Sequence, residues 1–302
     1  MRIIYCDSVL DRKLIEPDYE EEKNAAIKHG FNFSLISYEA ITDNNITSAL
    51  QLVKTAEKKE WGIYRGWMLT AEQYQRLYDA LLQKNIQLIN SPTEYIHCHH
   101  FPLSYAKIAH KTPYSKWTID ITDKSIQSLA QNFGNAPIIV KDYVKSEKHH
   151  WKEACFIPNA SDIAKVNAIV HTFIELRGDY LNEGLVFRQF EELKYLTQHS
   201  KSGMPLTKEY RLFFINKKTV LLSPYWEEGT YHETSVELDE FIEIAQTIDS
   251  NFFTMDIAQK KNGEWIVMEL GDGQVAGLPE SMDVNEFYDK LKESMANSTM
   301  RG

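Results

Sequence analysis

Cysteine is scarce in this chain of 302 residues, with Cys6, Cys98 and Cys155 far apart and no CxxC pair among them. That spacing gives neither a disulfide framework nor a structural zinc site, and it suits a reducing compartment. No apolar run approaches the roughly 18 residues that a membrane span requires, and the start, Met1-Arg2-Ile3-Ile4-Tyr5-Cys6-Asp7, reaches charge too early for a signal peptide. The reading is therefore a cytoplasmic protein with no membrane partner. Basic runs are also missing from a chain of formal net charge -10, which argues against nucleic acid as the main partner. Several catalytic signatures are absent as well. There is no GxxxxGK loop, no GxSxG and no HExxH, and Gly271-Asp272-Gly273 with Gly277 lacks the spacing of a dinucleotide fingerprint.

What is present is an ordinary globular composition, 43% hydrophobic and 25% charged, at a length that suits about two domains. Ile3 to Cys6 reads as a buried strand, Pro17 to His29 as a helix stopped by Gly30, and Phe31 to Ile36 as a second strand. A strand at Ile63-Tyr64 follows, then a helix whose Thr70-Ala71-Glu72-Gln73 start forms a capping box, then a strand from Ile86 to Ile89. The alternation predicts an α/β unit with a mainly parallel sheet over residues 1–110.

From about Lys111 the pattern changes. Pro137 to Tyr143 is a β-branched strand carrying Lys141, with Ala154 to Ile157 returning antiparallel to it. A long helix, capped by Asn159 or Ser161, ends before Gly178. Leu185 to Phe190 is strand, Glu209 to Ile215 and Thr219 to Tyr225 form a hairpin, and a helix runs from Asp239 to Ile248. Phe252 to Ala258 and Glu264 to Leu270 meet at Asn262-Gly263, the pairing expected of a type I′ turn.

That turn has a chemical consequence. With Asn262 and Gly263 at its centre, opposed residue numbers sum to 525, so Asp256 faces Glu269 across the hairpin. Two carboxylates that close repel unless a cation lies between them, and a divalent metal would supply it. Asp272 is near enough in sequence to be a third oxygen donor. Such a set suits Mg²⁺ carrying substrate phosphates, because that ion keeps waters and takes only one or two protein acids. The competing readings are that a bulge turns one acid to solvent, or that an arginine pairs with them. Lys141, Arg188 and Arg211 stand in apolar strands and together would clamp a triphosphate; singly, each is more often a solvated face or a structural ion pair, with Glu209 a partner for Arg188. The adjacent His97-Cys98-His99-His100 cannot easily converge on one ion.

The order Lys141, Leu185-Val186-Phe187-Arg188-Gln189-Phe190, Glu209-Tyr210-Arg211, Asp256, and Val267-Met268-Glu269-Leu270-Gly271-Asp272-Gly273-Gln274 resembles the ATP-grasp superfamily, and within it the divergent R2K clade. That clade includes bacterial proteins of unsettled role and eukaryotic cell-division-cycle relatives that help assemble a translation initiation factor. The match runs from about Pro137 to Pro279, and Tyr64 to Met68 and Asn90 to Tyr95 look like the domain that precedes ATP-grasp.

The resemblance implies an ATP-grasp fold, two α+β lobes clasping ATP at about 111–190 and 191–302, after an α/β pre-ATP-grasp domain. It implies ATP and Mg²⁺ as cofactors. Lys141, Arg188 and Arg211 would hold phosphates and the backbone at Gln189, Phe190 and Glu191 would hold adenine, with Glu209 nearby. Asp256, Glu269 and Asp272 would hold metal. Arg65, beside Trp67, is the candidate for gripping a carboxylate, with a surface ion pair as its alternative role. The activity implied is ligation of a carboxylate to an amine through an acylphosphate, on a small molecule, a peptide or a protein. An ATP-binding assembly factor without turnover is the alternative, and a metal-dependent phosphohydrolase the third reading. Two departures stand out: Gly271 occupies the position where the family commonly has asparagine, and Ser146-Glu147-Lys148-His149-His150-Trp151 stands where a glycine-rich phosphate loop would be.

Overall fold

The computed structural model describes residues 1–200, 205–231 and 236–299; the remainder of the second lobe's expected span, 201–204, 232–235 and 300–302, lies outside the described residues. Strands β1 (Arg2–Cys6), β2 (Asn32–Ile36), β3 (Glu60–Arg65) and β4 (Ile86–Leu88) form a parallel sheet in the order β2-β1-β3-β4. β1 reads as a continuous apolar run because both of its faces are covered. Ile3 and Tyr5 pack against the helices at Glu20–Lys28 and Val284–Thr299, while Ile4 and Cys6 pack toward the helix at Ala71–Leu82. The expected capping box is present, with Thr70 Oγ1 accepting from Gln73 N at 3.2 Å and Gln73 Oε1 accepting from Thr70 N at 2.9 Å.

The second sheet is antiparallel, with β5 (Ser115–Thr118), β6 (Ile138–Asp142), β7 (Phe156–Ile157) and β8 (Leu185–Gln189) in the order β5-β8-β6-β7. Helices Asp123–Gln131 and Ile163–Arg177 cover one face. The latter helix is capped by Asp162, whose side chain accepts from Lys165 N, and not by Asn159 or Ser161, because Asn159 is occupied by the amide and hydroxyl of Ser161. Beyond a short hairpin of β9 (Tyr195–Gln198) and β10 (Pro205–Thr207), a third sheet holds β11 (Glu209–Ile215), β12 (Lys218–Pro224), β13 (Phe252–Gln259) and β14 (Trp265–Asp272) in the order β12-β11-β13-β14. Helices Phe101–Ile108 and Asp239–Thr247 cover its apolar face.

The β13–β14 hairpin differs from the expected I′ turn. Only Gly263 takes a positive φ, +94°, while Gly263 N donates to Lys260 O and Lys260 N to Glu264 O. Three residues therefore make the loop, and the pairs nearest it are Gln259 with Trp265 and Ala258 with Ile266. A bulge between Ile257 and Asp256 then takes up Met268 as an extra residue, and Asp256 does face Glu269. The two deviations are one residue each and of opposite sense, so the sequence register holds at the acids.

Candidate functional site

Strand alternation puts Thr254, Asp256, Glu269 and Gly271 on the face of the third sheet opposite its apolar face, which carries Phe253, Met255 and Leu270. Arg211, paired with Asp256 across β11 and β13, shares the first face. Across from it, β6 of the second sheet presents Lys141. A cavity of about 310 Å³ lies between, lined by Lys141, Lys145, Ser146, Lys148, Arg211, Tyr225, Thr254, Asp256, Glu269 and Gly271 with His99 and Met68 at its wall. That size is at the lower end of small-molecule sites.

Both acids are ion-paired. Arg211 forks Asp256, with Nε to Oδ1 at 2.8 Å and Nη2 to Oδ2 at 2.7 Å, and Lys141 Nζ donates to Glu269 Oε1 at 2.8 Å. The arginine alternative is thus realised for Asp256 and a lysine serves Glu269. Burial raises the Asp256 pKa beyond what Arg211 offsets, whereas at Glu269 the pull of Lys141, Lys145 and Arg188 overcomes burial and lowers it. Lys145 reaches the cavity because Asp142, fully buried, accepts from the amides of Val144 and Lys145 and is itself held by Arg177 Nε at 3.1 Å. The Lys145 ammonium has no hydrogen-bonded carboxylate among the described residues, and desolvation, with Lys141, Lys148 and Arg177 adding to it against Glu269, lowers its pKa. Lys148 lies over Tyr225 and Trp226, 5.9 and 5.2 Å from their ring centres.

Lys145, Lys148, Tyr225 and His99 were not among the sequence candidates. A clue existed in the Lys145-Ser146-Glu147-Lys148 stretch that replaces a glycine-rich loop, since side-chain ammoniums can do what loop amides do for phosphate. His99 is buried against Tyr95, rings 5.0 Å apart, and burial drives its pKa down to about 3, so it stands neutral. His97, His99 and His100 do not converge, and among the described residues no three His, Cys, Asp or Glu side chains form a metal cluster.

Four expected site residues have side chains committed elsewhere. Arg65 is 1% exposed; its Nε and Nη2 reach the two oxygens of Glu22 at 2.8 and 2.7 Å, and its Nη1 serves the carbonyls of Gly273, Gln274 and Ala276. With every arm committed, it fastens the first sheet to the chain after β14 and leaves no arm to grip a carboxylate. Asp272 forms part of the cavity wall, but its side chain is on the opposite face of β14 from Glu269. There it accepts from Asn90 Nδ2 at 2.5 Å and from the amide and side chain of Gln274, and burial pushes its pKa up to about 7. A third metal oxygen is therefore not supplied by Asp272. A Cβ at Gly271 would sit 2.8 Å from Thr254 Oγ1, so the threonine hydroxyl fills the start of the space that an asparagine side chain would take. Arg188 lies under Phe101 and donates to Met268 O at 2.5 Å, to Val267 O and to Thr112 Oγ1; burial lowers its pKa to about 10. It bridges the two sheets behind the cavity, and Glu209 is not its partner: that half-buried carboxylate accepts from Thr207 and from Trp226 Nε1.

Gln189 ends β8 and Phe190 follows it where the chain crosses between sheets. Their amides already donate to Tyr114 O and Pro137 O, and the Phe190 ring meets Trp151 and Phe156. Glu191 pairs with Lys260 at 3.2 Å. An aromatic cluster thus adjoins the crossing segment.

Two facing α+β lobes with a cation-rich cavity and opposed acids between them define an ATP-grasp protein. Residues 132–291 match the ATP-grasp domain of R2K clade family 3, and the chain belongs to that family. Solved structures share the fold over nearly the whole chain. The ATP-grasp ligase PsnB, complexed with a minimal precursor, Mg and ADP, is 13% identical, covers 97% of this chain and 98% of its own, and superposes with a TM-score of 0.57. The RimK domain protein ATP-grasp from Sphaerobacter thermophilus is 11% identical over 98% of this chain and 100% of its own, at a TM-score of 0.60. D-alanyl-alanine synthetase A from Vibrio cholerae is 13% identical over 100% and 99%, at 0.60. No curated protein matches the chain. No helix among the described residues is long and apolar enough to cross a membrane.

Proposed function

We propose that the protein is an ATP-dependent ligase that joins a carboxylate to an amine, with the phosphates of ATP in the cavity between the second and third sheets. The observation that carries this reading is the convergence of Lys141, Lys145, Lys148 and Arg211 on the opposed Asp256 and Glu269. Four cations against two acids leave a net positive site, the balance a polyphosphate requires. The acids also fit magnesium, which takes one or two carboxylates and completes its shell with water and phosphate oxygen. If bound, magnesium would be held by these two acids and would supply charge neutralisation for the phosphates.

The rest of the chemistry is positioning. Lys141 and Arg211 would meet phosphate oxygens in exchange for their pairs with Glu269 and Asp256, Arg211 as a fork and Lys141 as a point charge. Adenine would lie toward Gln189, Phe190 and Glu191; because the first two amides are occupied, the Phe190 carbonyl and the Glu191 backbone would be the groups to meet its edge. A substrate carboxylate oxygen attacks the γ-phosphorus and ADP leaves, giving an acylphosphate. The amine nitrogen then attacks the acyl carbon, the C–O bond to phosphate breaks, and inorganic phosphate leaves as the amine proton passes to base. Such transfers need charge neutralisation and alignment more than a protein nucleophile. PsnB, whose structure holds a precursor peptide, makes a peptide substrate one candidate to screen beside small amines. The test is ADP release from the purified protein across acid and amine combinations. Release that needs both partners supports a ligase; release without an acceptor points to hydrolysis, and none with retained ATP to a binding protein.

A further inference from the structure

A second cavity, about 640 Å³, adjoins the first and shares Met68, Lys145, Val275 and Gly277 with it. Its other walls come from the first sheet's connections: Glu16, Tyr19, Tyr38, Glu39, Trp67 and the exposed Val9. The chemistry of the two is opposite. Where the first holds four cations, the second carries two half-buried carboxylates, Glu16 and Glu39, and desolvation, with Asp18, Glu39 and Asp7 adding to it, raises the Glu16 pKa. Among the cations near this end, Arg12 is taken by Asp7 Oδ2 at 2.9 Å, and Lys145 stands at the junction. Asp7 is 2% exposed, and its other oxygen, Oδ1, has no hydrogen-bond partner. Tyr19 and Trp67 meet edge to face at 5.7 Å, Trp67 is 40% exposed, and Tyr38 Oη donates to Met68 O at 3.2 Å. Carboxylates beside exposed aromatic faces are the surroundings that select ammonium groups.

Resting on the ligase reading, we infer that this second cavity holds the amine substrate and that the substrate carries a second positive charge, as a diamine or a basic amino-acid side chain does. The second charge follows from the nucleophile's needs. An attacking amine must be neutral, and acids around it would hold its proton on. The cation recognised by Glu16 and Glu39 is therefore the far end of the molecule. Lys145 repels that end and leaves the uncharged amine facing the phosphate cavity, where the acyl carbon is presented.

The probes are cadaverine, a five-carbon diamine, and glutarate, a five-carbon dianion, followed by saturation-transfer NMR without turnover and with saturating Mg-ADP to fill the cationic cavity. The wild-type chain should bind cadaverine and not glutarate, and the Glu16→Gln, Glu39→Gln double variant should bind cadaverine at least tenfold more weakly while Mg-ADP affinity, measured by calorimetry on the same samples, is unchanged. Trp67→Ala, at an exposed position, should also weaken cadaverine binding if the double variant fails to fold. Preference for glutarate, no cadaverine binding, or binding indifferent to these changes overturns the inference. Loss of Mg-ADP binding in the wild-type chain would instead overturn the ligase reading and leave the cadaverine result to be judged separately.

Discussion

Two arginines in this molecule fork carboxylates at the same distances and serve different ends. Arg65 with Glu22 and Arg211 with Asp256 both show 2.8 and 2.7 Å contacts. Arg65 is enclosed, with carbonyls of Gly273, Gln274 and Ala276 on its remaining nitrogen and Phe287 beside it at 5.7 Å. Arg211 opens onto a cavity, with its side chain 17% exposed, Tyr225 over it at 4.9 Å, and three lysines within the same walls. An ion pair sealed on all sides has one state available. A pair facing a cationic cavity can exchange its partner for a phosphate. What distinguishes the two arginines is the space beside each, not the pair, and the proposed phosphate role of Arg211 rests on that space.

Substitutions on the sealed side and on the cavity side separate the two cases. Arg65→Ala leaves Glu22 charged and buried, a mechanism that costs about 3–5 kcal/mol; urea unfolding should show that loss whether or not nucleotide is present. Asp272, on the sealed side, should reveal itself through pH. Its folded pKa, about 7, is above the ordinary carboxylate value, so the folded state holds the proton more tightly than the unfolded one. Its contribution is complete below the unfolded pKa and is lost as pH rises through about 7. Relative to Asp272→Asn, the wild-type chain should lose up to about 4 kcal/mol between acid and neutral pH, at roughly 1.36 kcal/mol per unit. On the cavity side, Lys141→Met should lower ATP-dependent turnover by about 10²–10³-fold, the magnitude typical of a lost charge-stabilising contact, with little change in the unfolding midpoint because Glu269 can rehydrate. The smallest effect is at the hairpin: Gly263→Ala, at φ +94° with nothing within 4 Å of the new Cβ, should cost about 1 kcal/mol of stability and leave nucleotide binding intact.

The acids' pairing shows how far sequence reaches. Asn262-Gly263 correctly marked a hairpin, but Gly263 alone takes the positive φ, and the register at Asp256 is right only because the bulge at Met268 cancels the longer loop. Bulges have no clear sequence mark, so the cancellation was invisible. The first parallel sheet was legible because β1 is apolar on both faces, and the Thr70 capping box because its signal is local. Arg65 and Asp272 were misplaced for the opposite reason: their partners Glu22, Asn90 and the Gly273–Ala276 carbonyls come from distant parts of the chain. Lys145 was missed because only the turn organised by Asp142, with Arg177 behind it, aims that lysine into the cavity.

The central claim is that Asp256 and Glu269 with the four cations make a magnesium–nucleotide site. Calorimetric titration of ATP, with and without magnesium, into the wild-type chain and into Asp256→Asn with Glu269→Gln tests it most directly. The account predicts magnesium-dependent binding that the double variant loses; binding by the variant equal to wild type, or no binding by wild type, would contradict it.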